Sequence, residues 1–121
     1  MSRLTIAAVR GAISVPANTR EAIHAATSRL LAELAARNRL EPRNVVSALF
    51  TTTPDLTADF PAHAARRLGW TEVPLLGAAE VAVPGGLPRC IRVLLHFYTS
   101  KPPGALKHTY LRGAANLRPD R

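Results

Sequence analysis

The run Cys90 Ile91 Arg92 Val93 Leu94 Leu95 has the residue types and length of a buried β-strand, yet it carries an arginine. A guanidinium cannot shed its charge, so a buried one needs an anionic partner. The chain has only 8 carboxylate side chains against 16 Lys and Arg. The nearest in sequence to Arg92 is Glu80, within Gly77 Ala78 Ala79 Glu80 Val81 Ala82 Val83. A fold that suits this chain has to bring the two segments together, either as a mutual ion pair or as two walls of an anion site. The intervening Pro84 Gly85 Gly86 forces a turn and predicts a hairpin with Glu80 and Arg92 on neighbouring strands.

The remaining segments fit an α+β domain, a mixed β-sheet packed with one long and one short helix. Leu4 to Arg10 reads as a first strand ended by Gly11. Asn18 followed by Glu21 resembles a capping box ahead of Ile23, Ala26, Leu30, Leu31, Leu34 and Ala35, whose spacing is helical. This helix is expected to reach Arg37, with Asn38 as its left-handed terminator. Val45 to Thr53 reads as a second strand. Asp59 is expected to cap a short helix that contains Pro61 in its first turn, stops at Gly69, and sets Phe60, His63 and Arg66 or Arg67 along one side. Trp70 to Leu76 and Ala78 to Val83 predict one or two strands, Cys90 to Tyr98 another, and Leu106 to Leu117 a last strand or short helix.

At 121 residues the chain is expected to be a single domain, residues 1–121, near the size at which oligomerisation often completes a small core. No apolar stretch approaches the roughly 18 residues that span a bilayer, and Arg10 interrupts the apolar N-terminal stretch before it resembles a signal peptide. A soluble, cytoplasmic protein is expected, with no membrane partner. The lone Cys90 excludes an intramolecular disulfide, and no Cys/His spacing matches a zinc site, so no metal is expected. A net charge of +8 raises nucleic acid as a partner. The arginines are nevertheless scattered and lack the interleaved aromatics on which single strands stack, so nucleic acid is not the expected partner.

No nucleophile and base are arranged for covalent chemistry, and the glycines lack phosphate-loop spacing. What remains is an anion-binding set: Arg10, Arg92 and Tyr110 as donors and Glu80 as acceptor.

The chain resembles a known family, the trimeric α+β chorismate mutases of the AroH class. The resemblance runs nearly end to end. It is carried by Val9 Arg10 Gly11 Ala12, Thr53 Pro54 Asp55 Leu56, Phe60 Pro61 Ala62 with Arg66 and Gly69 Trp70, Glu80, Gly85 Gly86 Leu87, Cys90 Ile91 Arg92 Val93, Tyr110 Leu111, and Leu117 Arg118 Pro119 Asp120. It implies a homotrimer that forms a pseudo-α/β barrel, with chorismate rearranged to prephenate, on the route to phenylalanine and tyrosine, at sites between subunits. No cofactor is implied. The catalytic residues it implies are Arg92, Glu80, Arg10 and Tyr110. Phe60, Ala62, His63, Arg66, Leu75 and Leu76 are implied as the neighbouring subunit's contribution, with Gly77 and Val81 also bordering substrate and Leu117 in a covering C-terminal segment. Two positions depart from the family: Gly77 stands where a cysteine is common, and His63 where lysine is usual, leaving that edge only partly charged near neutral pH. The chain stops one residue after Asp120, which leaves little tail for a lid. A trimeric α+β imine hydrolase and a non-catalytic RNA-binding protein are the alternatives.

Overall fold

A computed structural model of the protein describes residues 3–117. Five strands, β1 (Thr5–Ser14), β2 (Val45–Thr52), β3 (Leu75–Ala79), β4 (Cys90–Thr99) and β5 (Thr109–Leu111), form one mixed sheet in the order β3-β2-β4-β1-β5. The long helix α1 (Arg20–Asn38) carries the chain from β1 to β2, and the short helix α2 (Pro61–Arg67) carries it from β2 to β3. β4 enters between β1 and β2 and runs antiparallel to both, whereas the edge pairs β2/β3 and β1/β5 are parallel. This is the α+β layout expected from the residues.

One face of the sheet lies under the helices. Val9, Ile13, Phe50, Ile91, Val93 and Leu95 on the strands meet Ile23, Leu30, Leu31 and Leu34 of α1 in the main core. Period-two alternation then turns Arg10, Thr51 and Arg92 to the opposite face, where Arg92 pairs in register with Ala12 and with Thr51. β4 is therefore buried on one face only, and Arg92 is exposed in the single chain. The expectation of a strand buried throughout fails at this residue.

Several boundaries also differ from expectation, each for a physical reason. β1 continues through Gly11, which is there for close approach rather than a turn: a Cβ would lie 2.9 Å from Leu34 Cδ1 and 3.0 Å from the Thr109 carbonyl oxygen. Thr19, not Asn18, caps α1 by accepting from the Ala22 amide. Asn18 instead accepts from the Thr57 and Ala58 amides and pins the loop ahead of α2. Asn38 stays helical because its buried amide bonds the Leu34 carbonyl and both backbone groups of Lys107, so Arg39 takes the left-handed position at φ 51°. α2 ends at Arg67 and Gly69 follows it at φ 97°, while Asp59 does not cap it because its carboxylate oxygens are taken by His24 of α1 and His63 of α2. Only Leu75–Ala79 becomes a strand in the stretch from Trp70 to Val83. After β5, a tight turn at Arg112–Ala114 ends the described chain's ordered elements.

Candidate active site

The predicted hairpin is absent: β2 lies between β3 and β4, so Glu80 and Arg92 meet across an intervening strand. Glu80 follows β3, its amide held by the Thr52 carbonyl at 2.8 Å. Its Oε1 lies 3.1 Å from Arg92 Nε and accepts from the Thr51 hydroxyl of β2 at 2.5 Å. The pair is only partly buried, with the Arg92 side chain 44% exposed and that of Glu80 24%. No second carboxylate pairs with Arg92 among the described residues.

Arg10, Gly11, Leu49, Thr51, Glu80, Arg92, Val93, Leu94 and Tyr110 line one cavity of ≈ 190 Å³. All four residues expected to do the chemistry therefore surround a single space, reached from three strands and the end of a fourth. Arg10 is half-buried on β1, where its amide donates to His108 Nδ1. Tyr110 on β5 pairs in register with Ala12. Thr51, Leu49 and Leu94 were not foreseen from sequence. The first stood in a threonine run that looked like strand propensity, although its hydroxyl is what fixes Glu80.

The residues assigned to substrate binding fall elsewhere. Phe60, Leu76 and Gly77 line a second, open groove with Asp59, Pro61 and Ala79, and Phe60 and Leu76 are highly exposed there. Ala62 and Leu75 pack against the main core. Val81 is exposed and lines a further depression together with Glu80 and Arg92. Leu117 packs with Ala12, Cys90 and Ala114. Arg66 commits Nη1 to the carbonyls of Trp70, Thr71 and Val73, closing the loop after α2. Arg118, Pro119 and Asp120 lie outside the described residues.

Two supporting features explain parts of the motif. Asp55 accepts from the Thr53 hydroxyl and from the Arg89 amide, which hold its carboxyl below the ordinary range. Thr53 also accepts from the Cys90 amide, so this loop anchors the start of β4 and with it Arg92. Cys90 is fully buried, and burial pushes its thiol up, which suits a packing residue rather than a nucleophile.

Farther off, His24, Asp59 and His63 gather from α1, the loop between β2 and α2, and α2, and of the three only Asp59 and His63 are close in sequence. Asp59 titrates at about 2 because the Phe60 amide donates to it and both histidines lie against it, outweighing burial.

The family described as Chorismate mutase type I matches residues 6–121. A relative named Chorismate mutase AroH from Thermus thermophilus is 50% identical over 113 residues, 93% of this chain and 93% of its own. Its namesake from Bacillus subtilis is 42% identical over 118 residues, 97% of this chain and 93% of its own. A solved chorismate mutase from Clostridium thermocellum superposes with a TM-score of 0.88 at 48% identity, over 89% of this chain and 96% of that one.

Proposed function

Because the chain belongs to the type I chorismate mutase family and its activity is that of a chorismate mutase, we propose how its residues carry the reaction and how its sites are assembled. The carrying observation is the convergence of Arg10, Arg92, Tyr110 and Glu80 on one cavity. The isomerisation of chorismate to prephenate breaks an ether carbon–oxygen bond and forms a carbon–carbon bond within the same molecule. Electrons move around a ring of six atoms and no proton is transferred.

As the carbon–oxygen bond lengthens ahead of carbon–carbon bonding, negative charge gathers on the ether oxygen. Arg92 meets Glu80 through Nε, so its terminal amino groups serve that oxygen and the side-chain carboxylate. A fixed cation with its partner already in place stabilises the transition state more than the ground state, with little reorganisation. Arg10 and Tyr110 grip the carboxylate, and Glu80, held by Thr51, accepts from the ring hydroxyl. Together they favour the compact conformer in which the two reacting carbons approach.

The active species is a homotrimer, a pseudo-α/β barrel of single domains spanning residues 1–121, working in the cytoplasm on free chorismate. The support is the separation of two half-sites on one chain, the charged cavity and the open groove at Phe60, Leu76 and Gly77. A groove this apolar and exposed gains from burial against another copy. His63, Ala62, Arg66 and Leu75 belong to the second half-site, Val81 and Leu117 to the first. Arg66 contributes through whichever nitrogens its loop carbonyls leave. The family assignment replaces the imine-hydrolase and RNA-binding alternatives.

Complementation tests the shared site. An inactive Arg92→Ala chain refolded with an inactive Phe60→Asp chain regains chorismate turnover, because mixed trimers contain sites with both halves intact. No recovery from demonstrated mixed trimers of two inactive parents would overturn it.

A further inference from the structure

The cluster around Asp59 has an internal order that distance alone does not convey. Asp59 Oδ2 lies 2.6 Å from His24 Nε2, and Oδ1 lies 2.8 Å from His63 Nδ1. Arg20 Nε stands 3.5 Å from Oδ2, and Arg67 Nη1 stands 3.1 Å from His24 Nδ1. A guanidinium only donates, so His24 Nδ1 carries the lone pair and its proton sits on Nε2, aimed at Asp59. The sequence of donation is thus Arg67 to His24 to Asp59. His63 faces the same carboxylate with Nδ1, which must carry a proton, and Nε2 is left as its outward nitrogen.

Two imidazoles and a carboxylate within 4.8 Å are also a metal-ligand set. The surroundings oppose that use. A metal on His24 Nε2 would require Nδ1 to donate to an acceptor, and a guanidinium occupies that place. Arg20 and Arg67 moreover give the cluster two cations for one anion before any ion enters.

We propose that Asp59 is a positioning residue for substrate capture: backed by His24, it fixes the ring of His63 at the rim of the neighbouring subunit's site, so that in the imidazolium form its Nε2–H is presented as a donor to the anionic substrate. The inference rests on the shared-site reading above. His63 is 55% exposed and would otherwise sample several rotamers, each costing entropy when the substrate arrives. Phe60 meets its ring edge-on, with centroids 5.4 Å apart, and lines the open groove, so locking His63 also braces Phe60. A bare carboxylate near a dianionic substrate would repel it. Arg20 and Arg67 cancel that charge, which accounts for two arginines around one aspartate.

Three measurements on the full-length trimer decide it. Long-range proton–nitrogen spectra of the wild-type protein show His24 protonated at Nε2 and His63 protonated at Nδ1; His24 protonated only at Nδ1 would overturn the donor order. Addition of equimolar Zn²⁺ leaves those resonances in place, and specific movement of both histidines would replace this inference with a metal site. Asp59→Asn raises KM for chorismate several-fold while kcat holds within about twofold. In a His63→Ala background the same substitution adds nothing further, at unchanged trimer mass and melting temperature above the assay temperature. An equal KM penalty in both backgrounds, or none in either, would overturn the positioning role. Failure of this inference leaves complementation between Arg92→Ala and Phe60→Asp intact, whereas failure of the shared site abolishes it.

Discussion

Glu80 and Asp59 are both carboxylates set among cations, but they hold them on different terms. Glu80 shares one oxygen between Arg92 and Thr51 and stands at the wall of a cavity. Asp59 has both oxygens taken by histidines, with Arg20 beside them and only 12% of its side chain exposed. The first arrangement leaves Arg92 with hydrogen-bonding capacity to spend on a ligand. The second spends its capacity on joining α1 to α2. Proximity of opposite charges is common to both; the number of partners per carboxylate separates a site from a brace. The positions in the fold agree, since strand-borne Arg92 is held by two neighbouring strands while Asp59 ties a loop between helices.

The largest expected effect falls on the side of Glu80. Replacing Arg92 by citrulline keeps the outline and most hydrogen bonds but deletes the charge. If the guanidinium stabilises the developing oxyanion, turnover falls by at least roughly a hundredfold, about 3 kcal/mol of barrier, with the fold retained. If Arg92 merely pairs with Glu80, the loss instead appears as stability, about 3–5 kcal/mol for a broken buried pair and less at its observed exposure. Turnover and melting temperature measured on the same variant separate the two. A folded variant with near-normal turnover would remove Arg92 from catalysis.

The two regions were also unequally legible in the sequence. The Arg92 site announced itself because a charge in an apolar run is costly and demands a partner, and because the surrounding segments match a known family. What was missed is the route: a Pro-Gly turn suggested a hairpin, but parallel pairing of β2 with β3 placed another strand between the partners. Thr51 was hidden because a β-branched residue in a strand needs no further explanation until its hydroxyl is seen on Glu80. Of the Asp59 cluster only the four-residue spacing of Asp59 and His63 was visible, since His24 lies 35 positions away and only the packing of α1 on α2 brings it in. Asp59 beside Pro61 looked like a helix cap. Tertiary charge partners outcompeted that local role.

Gly11 is the joint between the regions, lying against α1 on one side and lining the charged cavity. Gly11→Ala forces a methyl into Leu34, Leu30 and the Thr109 carbonyl. The leucines can yield but the carbonyl cannot, so overpacking costs about 1–3 kcal/mol, seen as a lower denaturation midpoint. An unchanged midpoint would show the helix free to lift off the sheet. Thr51→Val is milder. It removes one hydrogen bond from Glu80 while leaving Arg92, for about 0.5–1.5 kcal/mol, or roughly two- to tenfold in kcat/KM, with melting little altered. If kcat/KM is unaffected, Glu80 needs no support beyond its ion pair.

The smallest effect concerns Asp59 as a brace, and its sign is fixed by linkage. The carboxyl titrates at about 2 in the folded chain against an ordinary 3.8, first because the Phe60 amide donates to it, with burial opposing and His24 and His63 reinforcing. A group whose folded value is depressed contributes stability above its unfolded value and loses it as pH falls through its folded value. The contribution is therefore complete above about pH 4 and fades between there and about pH 2. Asp59→Asn cannot titrate, so it is less stable than wild type at neutral pH, and the gap between their urea midpoints narrows across that acid window. Both chains are compared at one protein concentration, so that any association between copies bears equally on both midpoints. A gap that stays constant down to pH 2 would mean that the asparagine is disfavoured by its shape and hydrogen bonds alone. The charge of Asp59 would then contribute nothing to holding α2 on α1, and the contrast with Glu80 would rest on geometry only.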